Sequence, residues 1–273
     1  MLSTIPTALP FPRRVSYVVC CDLDETYIPY STAHKPLGGI TALEQFLREE
    51  GENKGVVIGW VTGTDLQSAF RKARGYIRHS PHFVCCSLGT EFYWIKQQRL
   101  ESSAAWQARL AVTGFDRDAP DLIVAKAQQR GMLMRRQSAD YQGAYRVSYY
   151  YQEGTRHGDD FAWLEDMAAR YRMRCLLAPC NPAAGDPAGW HDVDFVPRCC
   201  GKDAAVDFLR QILDVPREKV IAFGDSCNDL PMFAKAGHGF LVGNADPQAK
   251  RRWAHCLEQP YCHGIVSVLR QLA

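Results

Sequence analysis

The sequence predicts an α/β protein with a doubly wound, parallel-sheet (Rossmann-like) core that carries an inserted α+β cap domain. Three observations lead there. Short apolar runs recur at Tyr17 to Cys21, Val56 to Val61, His82 to Ser87, Val220 to Phe223 and Phe240 to Val242, and each breaks off at a polar cluster. Stretches with helical periodicity separate these runs, which is the signature of strand–helix–strand units. Between 101 and 194 the alternation fades, and short strands of period two mix with helices.

Tyr17 to Cys21 is apolar throughout, as a strand buried on both faces must be, and it stops at Asp22-Leu23-Asp24-Glu25-Thr26. Ile40 to Glu50 follows as a helix, with Leu43, Phe46 and Leu47 on one face. The next two runs end at Thr62-Gly63-Thr64-Asp65 and at Leu88-Gly89-Thr90-Glu91. Lys202 to Leu213 has helical spacing, and Val220 to Phe223 ends at Gly224-Asp225-Ser226-Cys227-Asn228-Asp229. Ligands of open α/β sheets bind at the carboxyl ends of the strands. Asp22, Thr62 and Asp225, far apart in the chain, are therefore expected at one edge. The middle segment carries helical patterns at 121–130 and 160–171, period-two strands at 145–151 and 174–178, and a Pro- and Gly-rich loop at 180–192. The expected division is a core of 1–100 and 195–273 and a cap of 101–194.

Composition narrows the function classes. The 273 residues carry a formal net charge of +2, with no dense basic run, so nucleic-acid binding by bulk electrostatics is not expected. No apolar run has the length of a membrane span, of about 20 residues, and no membrane partner is expected. The N-terminal stretch reads as a lead-in to the first strand rather than a signal peptide, because prolines interrupt its weak apolar segment. Eleven cysteines, three pairs of them adjacent, suit reduced, buried small residues better than a disulfide framework or a C-x-x-C metal site. That usage implies a cytoplasmic protein.

The chemistry is concentrated in four places. Asp22 and Asp24 put two carboxylates just past a strand end, which suits a nucleophile and an acid–base partner for phosphoryl transfer. Thr62 offers a hydroxyl, and Gly63 allows close approach of backbone N–H groups to the same anion. Lys202, at a helix start, offers positive charge to a crowded anionic transition state. Asp225 and Asp229, with Asn228, form a second acidic cluster where a hard, oxygen-seeking Mg²⁺ would sit. Taken one at a time, an acidic turn, an ordinary turn or an exposed lysine would explain each.

In this order and spacing the four pieces resemble the haloacid dehalogenase superfamily. The resemblance implies Asp22 as nucleophile, Asp24 as general acid/base, and Thr62 and Lys202 as phosphate ligands. It further implies Mg²⁺ held by Asp22, the main-chain carbonyl of Asp24, and Asp225, with Asn228 and Asp229 in support. Only 36 positions separate Thr26 from Thr62, whereas 140 separate Thr62 from Lys202. The cap is thus expected in the second interval, as in the Cof-type and sucrose-phosphate-phosphatase-like branch. The phrases Ser87-Leu88-Gly89-Thr90-Glu91 and Gly243-Asn244-Ala245 also fit that branch.

Further stretches, CCDLDETYIP, PHFVCCSLGTE, YYYQE, CNPAAGDP, DVDFVP and AFGDSCND, resemble the kanosamine-6-phosphate phosphatase family of aminosugar antibiotic pathways. That resemblance implies a small sugar-phosphate substrate, with a sucrose or other hexose phosphate as the alternative. Tyr149, Tyr151, Asn181, Asp186, His191 and Asp192 are candidate contacts to sugar hydroxyls or an amine; the alternating tyrosines read equally as cap core and Asp186-Pro187 as a turn, and Glu91 either faces the sugar or braces a bend. A phospho-switch or binding protein is the reading from a different class; Asp24 and the long cap speak against it.

Overall fold

The computed structural model describes residues 5–30, 38–154, 156–180, 182 and 185–272. The chain divides into two compact units, Met1–Ser103 with Lys202–Ala273, and Ala104–Gly201. No helix among the described residues is long and apolar enough to cross a membrane.

The first unit is built on a seven-stranded sheet. Its strands are β1 (Tyr17–Cys21), β2 (Val56–Val61), β3 (Phe83–Cys86), β4 (Glu91–Lys96) and β5 (Arg99–Ser102) before the insertion. After the four strands of the second unit, the core resumes with β10 (Val220–Gly224) and β11 (His238–Leu241). The core order is β11-β10-β1-β2-β3-β4-β5. The five strands from β11 to β3 are parallel. The last two extend the sheet in antiparallel fashion, an addition to the purely parallel sheet that the sequence predicts.

All five residues of β1 and all six of β2 are buried, each large apolar side chain contributing about 1.5–3 kcal/mol. On one face Leu43 and Phe46 of helix α1 (Gly38–Phe46) and Ile265 and Leu269 from near the carboxyl terminus join that core. The α1 pattern extends to Glu50 in sequence, and the chain does continue turning, but as a wider π-type turn over Leu47–Gly51 and a short helix Glu52–Lys54. Gly55 ends it at φ 69°, a conformation that glycine adopts without strain. Helix α2 (Leu66–Ala73) leads from β2 towards β3 and is capped by Asp65, which accepts from the Ser68 amide at 2.9 Å.

The second unit holds helices α3 (Ala104–Ala111), α4 (Ala119–Gln129) and α5 (His157–Arg170), with strands β6 (Met134–Arg136), β7 (Val147–Gln152), β8 (Met173–Pro179) and β9 (Trp190–Pro197). These strands form an antiparallel sheet of order β8-β9-β7-β6. One sheet face packs Val147, Tyr149, Tyr151, Val193 and Phe195 against Ile123, Ala127, Leu164 and Ala168 of α4 and α5. Strand β9 starts inside the stretch that reads as a loop and runs to Pro197, past the expected 194/195 boundary. The core then continues with α6 (Lys202–Ile212), α7 (Leu230–Lys235), α8 (Pro247–Arg252) and α9 (Tyr261–Leu269). The eleven cysteines are free thiols.

Candidate active site

Register places the chemistry. Cys21 pairs with both Phe223 of β10 and Trp60 of β2, so Asp22, Thr62 and Asp225 leave the sheet at one edge. The Asp22 amide still donates to the Phe223 carbonyl at 2.9 Å, which fixes the start of the Asp22 loop.

Four charged groups converge there. One carboxylate oxygen from each of Asp22, Asp225 and Asp229 lies within 4.8 Å of the others. Lys202, at the first position of α6, reaches Asp22 Oδ1 at 2.8 Å and Asp229 Oδ1 at 2.7 Å. Asn228 Oδ1 accepts from the same ammonium at 3.2 Å. Burial, partly offset by Lys202 and reinforced by Asp229 and Asp24, pushes Asp22 up to about 7. Burial, then Asp229 and Asp22, hold Asp225 well above the usual carboxylate range. Burial alone would lower Lys202, but Asp22 and Asp229 hold it above its ordinary value. One ammonium thus pairs with two buried carboxylates, Asp22 and Asp229, beside a third, half-buried one, Asp225.

Asp229 is fully buried. Its Oδ2 accepts from the Asp225 and Ser226 amides at 3.0 and 3.1 Å, while Oδ1 takes Lys202. With both oxygens committed, Asp229 shapes the loop and braces Lys202. Gly224 makes this possible, because a Cβ there would lie 2.3 Å from Asp229 Cγ. Asp225 accepts from the Thr26 hydroxyl at 2.8 Å, which joins the two acidic loops directly. Thr26 belongs to the first motif, yet its partner lies 199 positions away, and the sequence reading assigned it no role.

The donor set fits Mg²⁺. It is all oxygen, two of its carboxylates are destabilised by burial and by one another, and a hard divalent cation binds such oxygens. Asp22 and Asp225 are the side chains placed to hold it. Magnesium is therefore expected to raise the melting temperature of chelator-treated protein by about 5 °C or more at saturating concentration. A scanning-fluorimetry titration checks this, and an unchanged transition would contradict the fit.

The second carboxylate of the first motif points elsewhere. Asp24 accepts from the Thr64 hydroxyl at 2.8 Å and from Lys72 Nζ at 2.9 and 2.8 Å. Lys72 lies in the last turn of α2, and nothing in the sequence singles it out. Thr62 is 3% exposed, and its Oγ1 accepts from the Thr64 amide at 3.1 Å, which leaves its hydroxyl proton free to donate. Gly63 packs beside Leu88, whose Cδ2 would lie 3.0 Å from an added Cβ. Glu25 takes φ 59°. It is held by the Tyr261 hydroxyl at 2.8 Å, the Tyr30 amide at 2.6 Å and, through its own carbonyl, Asn244 Nδ2 at 2.7 Å. The Gly243-Asn244 phrase thereby acts as a strut for the Asp22 loop.

Glu91 braces the bend. Its oxygens accept from the Ser87 hydroxyl at 3.0 Å and the Tyr93 hydroxyl at 2.8 Å, across a turn where Ser87 and Leu88 both take positive φ. Of its two sequence readings, the structure favours the bracing one.

The cap candidates divide by sheet face. Tyr149 and Tyr151 are 3% and 1% exposed and belong to the cap core, which corrects their reading as sugar contacts in favour of the core alternative. Their hydroxyls donate to Asp121 and, at 2.8 Å, to Asp160. His191 pairs with Tyr151 across the strands and lies 4.9 Å from the Phe161 ring, so it also faces the helices. Successive strand residues face opposite ways, and the other face carries Tyr150, Asp192, Asp194 and Trp190. Tyr150 donates to Asp186 Oδ1 at 3.4 Å. Asp192 accepts from Gln137 Nε2 at 2.7 Å, and burial, then Asp194 and Asp186, push it up to about 6. Asn181 lies outside the described residues. Tyr150, on this face, is not among the residues that the sequence points to.

The family model described as sucrose-6F-phosphate phosphohydrolase matches residues 15–271. The kanosamine-6-phosphate phosphatase of Bacillus subtilis is 32% identical over 261 residues, covering 94% of this chain and 92% of the relative. An uncharacterized hydrolase of Staphylococcus aureus is 26% identical over 250 residues, covering 89% and 92%. Among solved structures, the haloacid dehalogenase-like hydrolase yhjK of Bacillus subtilis superposes with a TM-score of 0.77 at 30% identity, covering 98% of this chain and 95% of the other. The Synechocystis sucrose-phosphatase, solved with sucrose and phosphate, gives 0.71 at 19% identity over 94% and 98%, a likeness of fold.

Proposed function

Because the chain belongs to the sucrose-6F-phosphate phosphohydrolase family of haloacid dehalogenase-type hydrolases, we propose that it is a Mg²⁺-dependent phosphatase of an aminohexose 6-phosphate, kanosamine 6-phosphate foremost. The convergence of Lys202 with Asp22, Asp225 and Asp229 supports the phosphatase chemistry. The substrate rests on one observation, the 32% identity to a kanosamine-6-phosphate phosphatase that spans 94% of this chain and so includes the cap.

In this reading Asp22 Oδ attacks phosphorus in line with the ester oxygen. The Thr62 hydroxyl and the backbone beside Gly63 bind phosphoryl oxygens, and Lys202 orients Asp22 while balancing its charge. Asp24 protonates the leaving sugar oxygen and then takes a proton from the water that cleaves the aspartyl-phosphate. Mg²⁺ held by Asp22, Asp225 and the Asp24 carbonyl would supply positive charge to the phosphoryl oxygens. Tyr150 and Asp192 are paired on one face of the cap sheet, Asp186 of the loop before β9 accepts from the Tyr150 hydroxyl, and carboxylates of this kind favour an ammonium group over a neutral hydroxyl. That arrangement supports an amino sugar over sucrose, the substrate the family description favours.

The test is phosphate release with Mg²⁺ from kanosamine 6-phosphate, glucosamine 6-phosphate, glucose 6-phosphate, sucrose 6-phosphate and p-nitrophenyl phosphate. A preference for kanosamine 6-phosphate of about a hundredfold in kcat/KM is expected, equivalent to roughly 2.7 kcal/mol of discrimination. A preference for sucrose 6-phosphate would overturn the substrate while keeping the chemistry.

A further inference from the structure

We infer that Lys72 is a positioning residue for the acid–base carboxyl of Asp24, an inference that rests on the phosphatase reading above. Lys72 contacts both Asp24 oxygens, at 2.9 and 2.8 Å, and approaches Thr64 Oγ1 at 3.3 Å. Thr64 in turn donates to Asp24 Oδ2 at 2.8 Å, which closes a triangle of three side chains. The Lys72 ammonium also lies 5.6 Å from the centre of the Tyr30 ring. Thr64 alone would leave the carboxyl free to turn about its last bond; the second, two-oxygen contact removes that freedom. Asp24 is two positions from Asp22, yet its carboxyl is not among the three whose oxygens cluster within 4.8 Å. What determines its direction is the Lys72–Thr64 pair.

The consequence is specific to proton transfer. As Asp22 bonds to phosphorus, the bond from phosphorus to the sugar oxygen breaks and leaves its electron pair on that oxygen, which takes the proton of Asp24. In the second half, water gives a proton back to Asp24, its oxygen bonds to phosphorus and the Asp22–phosphorus bond breaks. An alkyl leaving group needs that first proton, whereas p-nitrophenolate leaves without it. A misdirected Asp24 therefore penalises the sugar ester selectively. The ion pair is part-exposed, with side chains 35% and 16% accessible, and pairs of that kind add little to stability.

The experiment measures kcat/KM of the Mg²⁺-loaded full chain for the aminohexose 6-phosphate that the panel ranks first and for p-nitrophenyl phosphate, in wild type, Lys72→Met and Lys72→Arg. That ratio reports the half-reaction in which the leaving group departs. Lys72→Met is expected to lose about 100-fold on the sugar ester and less than about 5-fold on the aryl ester. Its melting temperature is expected to stay within about 3 °C of wild type. Lys72→Arg, which keeps the charge and the two-oxygen reach, is expected to recover the sugar ester to within about tenfold. Equal losses on both esters, or a raised KM on both, would make Lys72 a structural or substrate-binding residue and overturn the inference, as would full activity of Lys72→Met on the sugar ester. A wild type that hydrolyses neither ester would overturn the underlying phosphatase reading instead, and the inference with it.

Discussion

Asp22→Asn is expected to lower turnover by about 10⁴-fold or more while the protein remains folded. The amide keeps the shape of the carboxylate, and its oxygen can still accept from Lys202. It cannot form the aspartyl-phosphate. Stability should move the other way in metal-free buffer. Asp22 sits among Asp225 and Asp229 with burial opposing its charge, and Lys202 retains Asp229 at 2.7 Å after the exchange. The variant should therefore melt no lower than wild type in EDTA, and Mg²⁺ should stabilise it less, because one carboxylate ligand is gone. Circular dichroism melts beside a phosphate-release assay check both halves. Residual activity within about tenfold of wild type would remove Asp22 from the nucleophile's position.

Lys202→Met should cost about as much in activity and considerably more in stability. In EDTA the substitution strands Asp22 and Asp229, which share that ammonium, and breaking a buried pair from one side typically costs about 3–5 kcal/mol. Saturating Mg²⁺ should restore part of the loss, because a cation again faces Asp22. Turnover should fall by about 10³-fold even with Mg²⁺, since the charge on the attacking side of the phosphoryl group is missing. Urea denaturation with and without Mg²⁺ measures the first effect and steady-state kinetics the second. An Mg²⁺-saturated variant with wild-type kcat would contradict the role given to Lys202.

The core was legible because its signals are local. A strand buried on both faces must be apolar from end to end, so β1 and β2 appear in sequence with the boundaries they have in space. The acidic groups follow those strands directly, and parallel register does the rest. The antiparallel extension was less visible because its hairpin turns at Gln97 and Gln98. Both take positive φ there, at 47° and 61°, where glycine or asparagine would have marked the turn. Strand β9 was hidden behind a Pro- and Gly-rich approach. In β7, aromatic residues fill Tyr149, Tyr150 and Tyr151 alike, so polarity does not tell which face is inward, and a shift of one residue exchanges core for surface. Lys72 was invisible for another reason: a lysine in the last turn of a helix is ordinary until the fold brings Asp24 to it.

The most direct test of the account is chemical trapping of the covalent intermediate. Asp24→Asn, mixed with Mg²⁺ and ³²P-labelled p-nitrophenyl phosphate, lacks the base that activates water but faces a leaving group that needs no acid. After an acid quench, label is expected on the protein; in a parallel sample, borohydride displaces the phosphate and reduces the phosphorylated aspartate to homoserine, which peptide mass spectrometry should find at Asp22. Label released only as free phosphate, or found on another residue in an otherwise active enzyme, would contradict Asp22 as the nucleophile.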